Sequence, residues 1–227
     1  MERHFEEELR QLKEKLLRMS SLVESCVQKA VLAFRERNRK LAEEVVASDR
    51  EIDMLEIEIE NLAIRLLALL QPMAGDLRFI ISVLMINNNL ERLGDLGVNI
   101  AQRTIDLLKS PPTSEVDNIN KMAELSQKML KDSINAFVNN DTDLAQRVCL
   151  NDDAVDQLNR QIFKELLNKM QQDNSFVERS VDLILVSKNL EKVADHATNI
   201  CEEVIYIIKG KIIKHHAEDN ELEGHNT

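Results

Sequence analysis

The chain has 227 residues, 44% hydrophobic and 30% charged, with a net charge of −11 and only 5 Gly, 3 Pro, 1 Tyr and no Trp. So few turn formers and aromatic strand residues exclude an all-β chain, while the wealth of Leu, Glu, Lys, Gln and Ala predicts an all-α fold. The acidic balance excludes a nucleic-acid backbone as the main partner, because counterion release needs clustered Lys and Arg.

Cys26, Cys149 and Cys201 are odd in number, far apart and without a CxxC pair. They therefore suggest neither a disulfide framework nor a thiolate zinc site, and fit a reducing cytoplasm. The N-terminus lacks the apolar core of a signal peptide. The longest clean apolar run, Ile80 to Ile86, is far short of the roughly 20 residues of a spanning helix, so the expectation is a soluble protein.

From Phe5 to Arg37 the apolar residues Leu9, Leu12, Leu16, Met19, Val23, Val27 and Val31 recur at steps of three and four, the seam of a first long helix. Asn38 is placed to cap a second, running to Gln71, where Pro72 and Gly75 supply the stop. Asp76 is expected to cap a third, reaching Lys109. Ser110-Pro111-Pro112-Thr113-Ser114 cannot continue a helix and marks a boundary. Beyond it the plan repeats: helices from Glu115 to Val138, from Asp141 to Gln172 and from Ser175 to Lys209, with turns at Asn139-Asn140-Asp141 and Asp173-Asn174. The expected architecture is two tandem three-helix bundles, residues 1–110 and 111–210, with a polar tail at 211–227.

Two stretches share the pattern NLE-(R/K)-x-x-D-x-x-x-N-I: Asn89 to Ile100 and Asn189 to Ile200. Glu91 and Glu191, Asp95 and Asp195, and Asn99 and Asn199 are each 100 residues apart, which signals duplication. In a helix the i, i+4, i+8 spacing keeps the three polar side chains within roughly 80° of one face. A second acidic pair lies upstream in each unit, Asp49 with Asp53 and Asp152 with Asp156.

Folding each hairpin about its turn brings Asp53 level with Glu91, Asp49 with Asp95, Asp156 with Glu191 and Asp152 with Asp195. Asp49, Asp53, Glu56 and Glu60 form one strip, flanked by Ile52, Ile59 and Ala63 on one side and by Ile57 and Ile64 on the other. Like charges at i, i+4 cost about 0.2–0.5 kcal/mol per pair in water and more where apolar neighbours exclude solvent. Four such groups at one level call for a cation. Carboxylates with an Asn oxygen, no Cys and little His, suit hard or borderline divalent and trivalent ions. The bland alternative is a pair of ordinary solvated helix faces.

Other candidates are weaker. His196 reads as a packed or surface-edge histidine, Arg78 and Arg103, which flank the first motif, as surface-paired with an anion site as the alternative, and Met19, Met54, Met73, Met85, Met122, Met129 and Met170 as core or turn filler.

Taken together, Asp49-Arg50-Glu51-Ile52-Asp53, Gln71-Pro72-Met73-Ala74-Gly75-Asp76-Leu77-Arg78, Leu90-Glu91-Arg92-Leu93-Gly94-Asp95 with Asn99-Ile100, and Leu190-Glu191-Lys192-Val193-Ala194-Asp195-His196 with Asn199-Ile200 resemble the PhoU family of phosphate-signalling regulators over nearly the whole chain. The resemblance implies two tandem three-helix bundles whose E(D)xxxD motifs bind multinuclear clusters of iron, zinc or similar ions. It implies Asp49, Asp53, Glu91 and Asp95 as ligands in the first unit, Asp152, Asp156, Glu191 and Asp195 in the second, and Asn99 and Asn199 as outer ligands. It also implies a cytoplasmic, homodimeric negative regulator of the phosphate response and of phosphate uptake, peripheral to the inner membrane. Its partners would be the ATPase subunit of the phosphate ABC transporter and a PhoR-type sensor histidine kinase. The acidic strip departs from the repeat, since Asn159 and Phe163 stand where Glu56 and Glu60 do.

A carboxylate-bridged di-iron enzyme or ferroxidase is a competing reading, but such bundles carry Glu-x-x-His. Here Val193 stands three residues before His196, and the expectation is a protein that is not an enzyme. A purely structural helical spacer would need neither the matched heights nor the Asn at i+8.

Overall fold

A computed structural model of the chain describes residues 2–70, 72–112 and 117–211. Their α-helices are α1 (Glu2–Glu36), α2 (Arg39–Ala47), α3 (Asp49–Leu70), α4 (Ala74–Leu107), α5 (Asp117–Asn139), α6 (Thr142–Leu150), α7 (Asp152–Gln172) and α8 (Val177–Lys209), with a 3-10 turn at Asn174–Phe176. No strand occurs among the described residues. No helix among them is long and apolar enough to cross a membrane. The expected tail beyond residue 211 lies outside the described residues.

The seam of α1 becomes core: Leu12, Leu16, Met19, Val23, Val27 and Val31 are all buried, each side chain contributing about 1.5–3 kcal/mol of transfer free energy. The caps sit where the sequence puts them. The Asn38 side chain accepts from Leu41 N at 3.1 Å, and Asp141 accepts from Leu144 N at 2.8 Å. Asp76 differs. Met73 is the N-cap residue of α4 and Asp76 lies in its first turn, where a carboxylate favours the helix dipole without capping. Methionine as filler holds for buried Met19, Met122 and Met129, but Met54, Met73 and Met85 are exposed.

The second and fifth predicted helices each carry a break that periodicity does not reveal. Ser48 donates both its N–H and its Oγ to Val45 O, at 3.0 and 2.8 Å, and the helix restarts at Asp49. A Ser hydroxyl competes in this way for backbone carbonyls. In the second unit Asn151 N donates to Val148 O at 3.0 Å and the helix restarts at Asp152. The consequence is positional: Asp49 and Asp152 each become the first residue of a helix, where the dipole favours negative charge.

The α3/α4 and α7/α8 hairpins have the predicted register. Asn87 Nδ2 donates to Glu56 O at 3.1 Å, and Ser187 Oγ donates to Asn159 Oδ1 at 3.1 Å. The two units meet along α4 and α8, which run antiparallel in one shared core. Across this seam Ser82 meets Glu203 while Arg103 meets Asp182. Each pair maps onto the other by a shift of 100 residues, so the units are related by a pseudo-twofold.

Candidate metal centre

Glycine sets the packing beneath the first acidic motif. A Cβ at Gly97 would stand 2.7 Å from Cys26 Sγ, and one at Gly94 would stand 3.1 Å from Ile52 Cδ1. α1 and α3 therefore press against α4 at the level of Glu91 and Asp95. In the second unit buried Ala194 and Ala197 occupy the matching places. Packing this close narrows the solvent available to the acids beside it.

In the first group α3 supplies Asp49 and Asp53, and α4 supplies Glu91 and Asp95. Burial raises the Asp49 carboxyl above its ordinary range, and the charges of Asp53 and Asp95 raise it further. Glu91 is raised by burial and by Asp95, Glu56 and Asp53, against an opposing pull from Arg92. The charge of Asp95 on α4 thus bears on Asp49 of α3, and that of Asp53 on α3 bears on Glu91 of α4. Arg92 leans on both motif carboxylates, 3.3 Å from Glu91 and 3.5 Å from Asp95.

The second group repeats this. Asp195 keeps access to solvent, yet the atoms packed around it, with the charges of Glu191, Asp152 and Asp156, push it up to about 6, against a lowering pull from Lys188. Lys188 Nζ donates to Glu191 at 2.6 Å, and Arg160 pairs with Asp156 at 3.2 Å. In both units the chain's own cations offset part of the repulsion.

The donor chemistry suits a hard or borderline cation, since all eight groups are carboxylates. Among the described residues, however, no three Asp, Glu, His or Cys side chains stand close enough to hold an ion. The carboxylates are brought to one level, but they are not closed around a point.

The Asn residues of the motif sit differently. Asn99 is exposed on α4. Asn199 Nδ2 donates across the seam to Asn89 Oδ1 at 3.4 Å, and His196 Nδ1 donates to the same oxygen at 2.8 Å, while Asn89 Nδ2 donates to Met85 O at 2.8 Å. His196 is thus a packed histidine at the unit interface. Burial, Arg92 and Lys192 hold it below its ordinary value, hence neutral near pH 7. The flank of the acidic strip differs from expectation as well: Ile52, Ile59 and Ala63 are buried, but Ile57 and Ile64 face solvent. Strip periodicity fixes a face without saying what covers it.

Sequence reasoning missed Cys26. Its thiol lies beside this group, pushed up to about 11 by burial and then by the charge of Asp49, and Cys26 Sγ donates to Gly94 O at 3.8 Å. The only available signal was the pair of glycines, three residues apart, inside the motif.

Comparison with known proteins now has a geometry to attach to. The PhoU domain model matches residues 16–104 and 119–204, one match in each unit. The "phosphate-specific transport system accessory protein PhoU homolog" of Aquifex aeolicus is 42% identical over 208 residues, covering 92% of this chain and 94% of its own. The protein of the same description from Clostridium acetobutylicum is 40% identical, covering 91% of this chain and 95% of its own. The crystal structure of PhoU from Pseudomonas aeruginosa superposes with a TM-score of 0.89 at 35% identity, over 91% of this chain and all of that one. The phosphate transport system regulatory protein PhoU from Streptococcus pneumoniae gives 0.85 at 30% identity, over 92% and 99%. With both repeats matched and relatives at this identity covering nearly its whole length, the chain belongs to the PhoU family.

Proposed function

We propose that the protein is an accessory regulator of phosphate transport that represses the phosphate response and limits uptake when phosphate is plentiful. It couples the ATPase subunit of the phosphate ABC transporter to a sensor histidine kinase, without itself catalysing a reaction, at the cytoplasmic face of the membrane and as a homodimer. The family and the printed roles of the relatives from Aquifex aeolicus and Streptococcus pneumoniae support the link to phosphate transport. What carries the metal part of the reading is one observation: two pseudo-twofold-related groups of four carboxylates in which burial and the neighbouring acids raise Asp49, Glu91 and Asp195 above the ordinary carboxylate range.

In this reading Asp49, Asp53, Glu91 and Asp95 hold one divalent or trivalent ion or cluster, iron or zinc by donor type, and Asp152, Asp156, Glu191 and Asp195 hold the other. A bound cation supplies the positive charge that offsets the mutual repulsion in each group. Arg92, Lys188 and Arg160 shield the same acids when no ion is present. Asn99 and Asn199 extend the motif face outward by one helical turn and serve as outer ligands.

The test of the regulatory role is a strain lacking the gene, grown in phosphate-rich medium. Derepressed phosphate-starvation genes, restored to silence by the intact chain, are expected. Continued repression in a strain without a second family member would refute it.

A further inference from the structure

A cavity of about 190 Å³ lies at the other end of the first unit, where the C-termini of α1 and α4 meet α5 and the N-terminus of α8. Arg35, Arg37 and Arg179 line it and no Asp or Glu does, in a chain of net charge −11. Arg35 is paired with Glu124. The adjoining groove carries three acids: Asp182 pairs with Arg103, Asp106 with Arg103 and Lys109, and Glu178 precedes Arg179 in the chain. The cavity's own lining is positive through Arg37 and Arg179.

Two polar atoms of the lining are buried without a hydrogen-bond partner, Arg179 Nε and Asn120 Oδ1. The Arg179 guanidinium is held over the Phe176 ring, 4.9 Å from its centroid, which fixes its position. A buried donor left without a partner costs about 1–3 kcal/mol, so a native structure that keeps one calls for an explanation. An acceptor ligand provides it. Turning over the Asn120 amide would present its NH2 to the same ligand.

The duplication is an internal control for what the fold itself requires. Arg37 lies in the left-handed region at φ 52, and its counterpart in the second unit, Asn140, has the same φ of 52. Asn tolerates this conformation, while a long side chain adopts it at a cost, so the turn does not account for the arginine. Arg37 Nη2 donates to Leu107 O and Ser110 O at 3.1 and 2.5 Å, which holds the guanidinium on the C-terminal carbonyls of α4 beside the cavity and leaves its other N–H groups for a ligand. At the place matching Arg35 the second unit has Val138. The corresponding end of the second unit has an arginine of its own, Arg78 beside Gly210, whose Nε is likewise buried without a partner, so the two ends differ at Arg35 and Arg37.

We infer that this cavity binds a small tetrahedral oxyanion, inorganic phosphate, between Arg179, Arg37 and the Asn120 amide. The volume of about 190 Å³ suits a small oxyanion, being below the roughly 300–1,000 Å³ of pockets for drug-sized molecules. Arginine presents the forked donors that match phosphate oxygens. The oxyanion site follows from the lining; its assignment to phosphate rests on the phosphate-transport reading above.

Isothermal titration of the full chain with inorganic phosphate, and in parallel with sulfate, tests this. Binding of phosphate is expected, weakened at least tenfold in Arg179→Met and in Asn120→Asp and unchanged in Arg147→Met, an exposed arginine of α6, with all variants matched in helical circular dichroism. No binding at millimolar phosphate, equal binding of sulfate, or equal loss in Arg147→Met would overturn it. A protein that binds no phosphate but still silences the starvation genes would sink this site while leaving the regulatory role intact.

Discussion

Ser82 on α4 donates a 2.8 Å hydrogen bond to Glu203 on α8, a carboxylate only 6% exposed, and the pseudo-twofold turns that pair into Asp182 on α8 facing Arg103 on α4 at 3.4 Å. The same contact is thus made twice with its chemistry rearranged. At one end a neutral hydroxyl serves a buried acid; at the other a half-exposed arginine, shared with Asp106, serves an aspartate whose side chain is 19% exposed. Losing a bond to a buried charge costs about 1.5–3 kcal/mol, whereas an exposed ion pair is worth about 0–1 kcal/mol. Ser82→Ala should therefore destabilise the protein by about 1.5–3 kcal/mol and Arg103→Ala by under about 1 kcal/mol. Denaturant melts with unchanged slope would measure both, and equal losses would contradict the asymmetry.

Gly97 is required by contact, because an added Cβ meets Cys26 Sγ at 2.7 Å in a tightly packed interface. Gly97→Ala should cost about 1–3 kcal/mol through overpacking. Adding Cys26→Ala, which removes the obstructing sulfur, should recover part of that loss, and the coupling is read from a double-mutant cycle. Strict additivity of the two changes would show that the close approach is not the cause.

The carboxylates make a pH-dependent contribution of definite sign. Asp195 is raised from 3.8 to about 6, so the fold favours its neutral form. The stability this gives is complete below pH 3.8 and is lost as pH rises through about 6. Metal-free protein should melt at lower temperature at pH 7 than at pH 5, and Asp195→Asn should reduce that difference. Added Zn2+ should release protons near pH 6, because the ion and the proton compete for the same oxygens. A metal-free melting temperature that climbs from pH 5 to pH 7, and climbs less in Asp195→Asn, would reverse the sign and count against the raised value.

Much of this was readable in the residues alone. Asn38 and Asp141 announce their caps, and the 100-residue recurrence of Glu, Asp and Asn announces the duplication. The breaks before Asp49 and Asp152 were hidden, because they come from single side-chain or backbone bonds to a carbonyl three residues back, inside an unbroken apolar rhythm. The partner of Asn199 was hidden too. Helical spacing says which face a side chain occupies, whereas the antiparallel approach of α4 and α8 decides that Asn89 stands opposite it. Arg37 and the cavity it lines depend on the meeting of four helices, which no local pattern records.

Removing acids should separate ion binding from folding. Glu91→Ala with Asp95→Ala takes away two half-buried like charges, of which Glu91 is raised by burial and by Asp95, so helicity should stay almost intact while the first group loses its ions. Elemental analysis should then give about half the wild-type content if the groups load equally, and the matching pair Glu191→Ala with Asp195→Ala should give the other half. Loss of helical signal in either variant would mean that these carboxylates serve the fold.

The most direct measurement is an anomalous-difference map of crystals grown without chelator and soaked in zinc or iron. Peaks are expected between α3 and α4 and between α7 and α8, with carboxylate oxygens of Asp49, Asp53, Glu91 and Asp95, and of Asp152, Asp156, Glu191 and Asp195, at about 2.0–2.2 Å if the ion is zinc. A map with no peak at either group, or with peaks only at other surface acids, would contradict the metal-binding account.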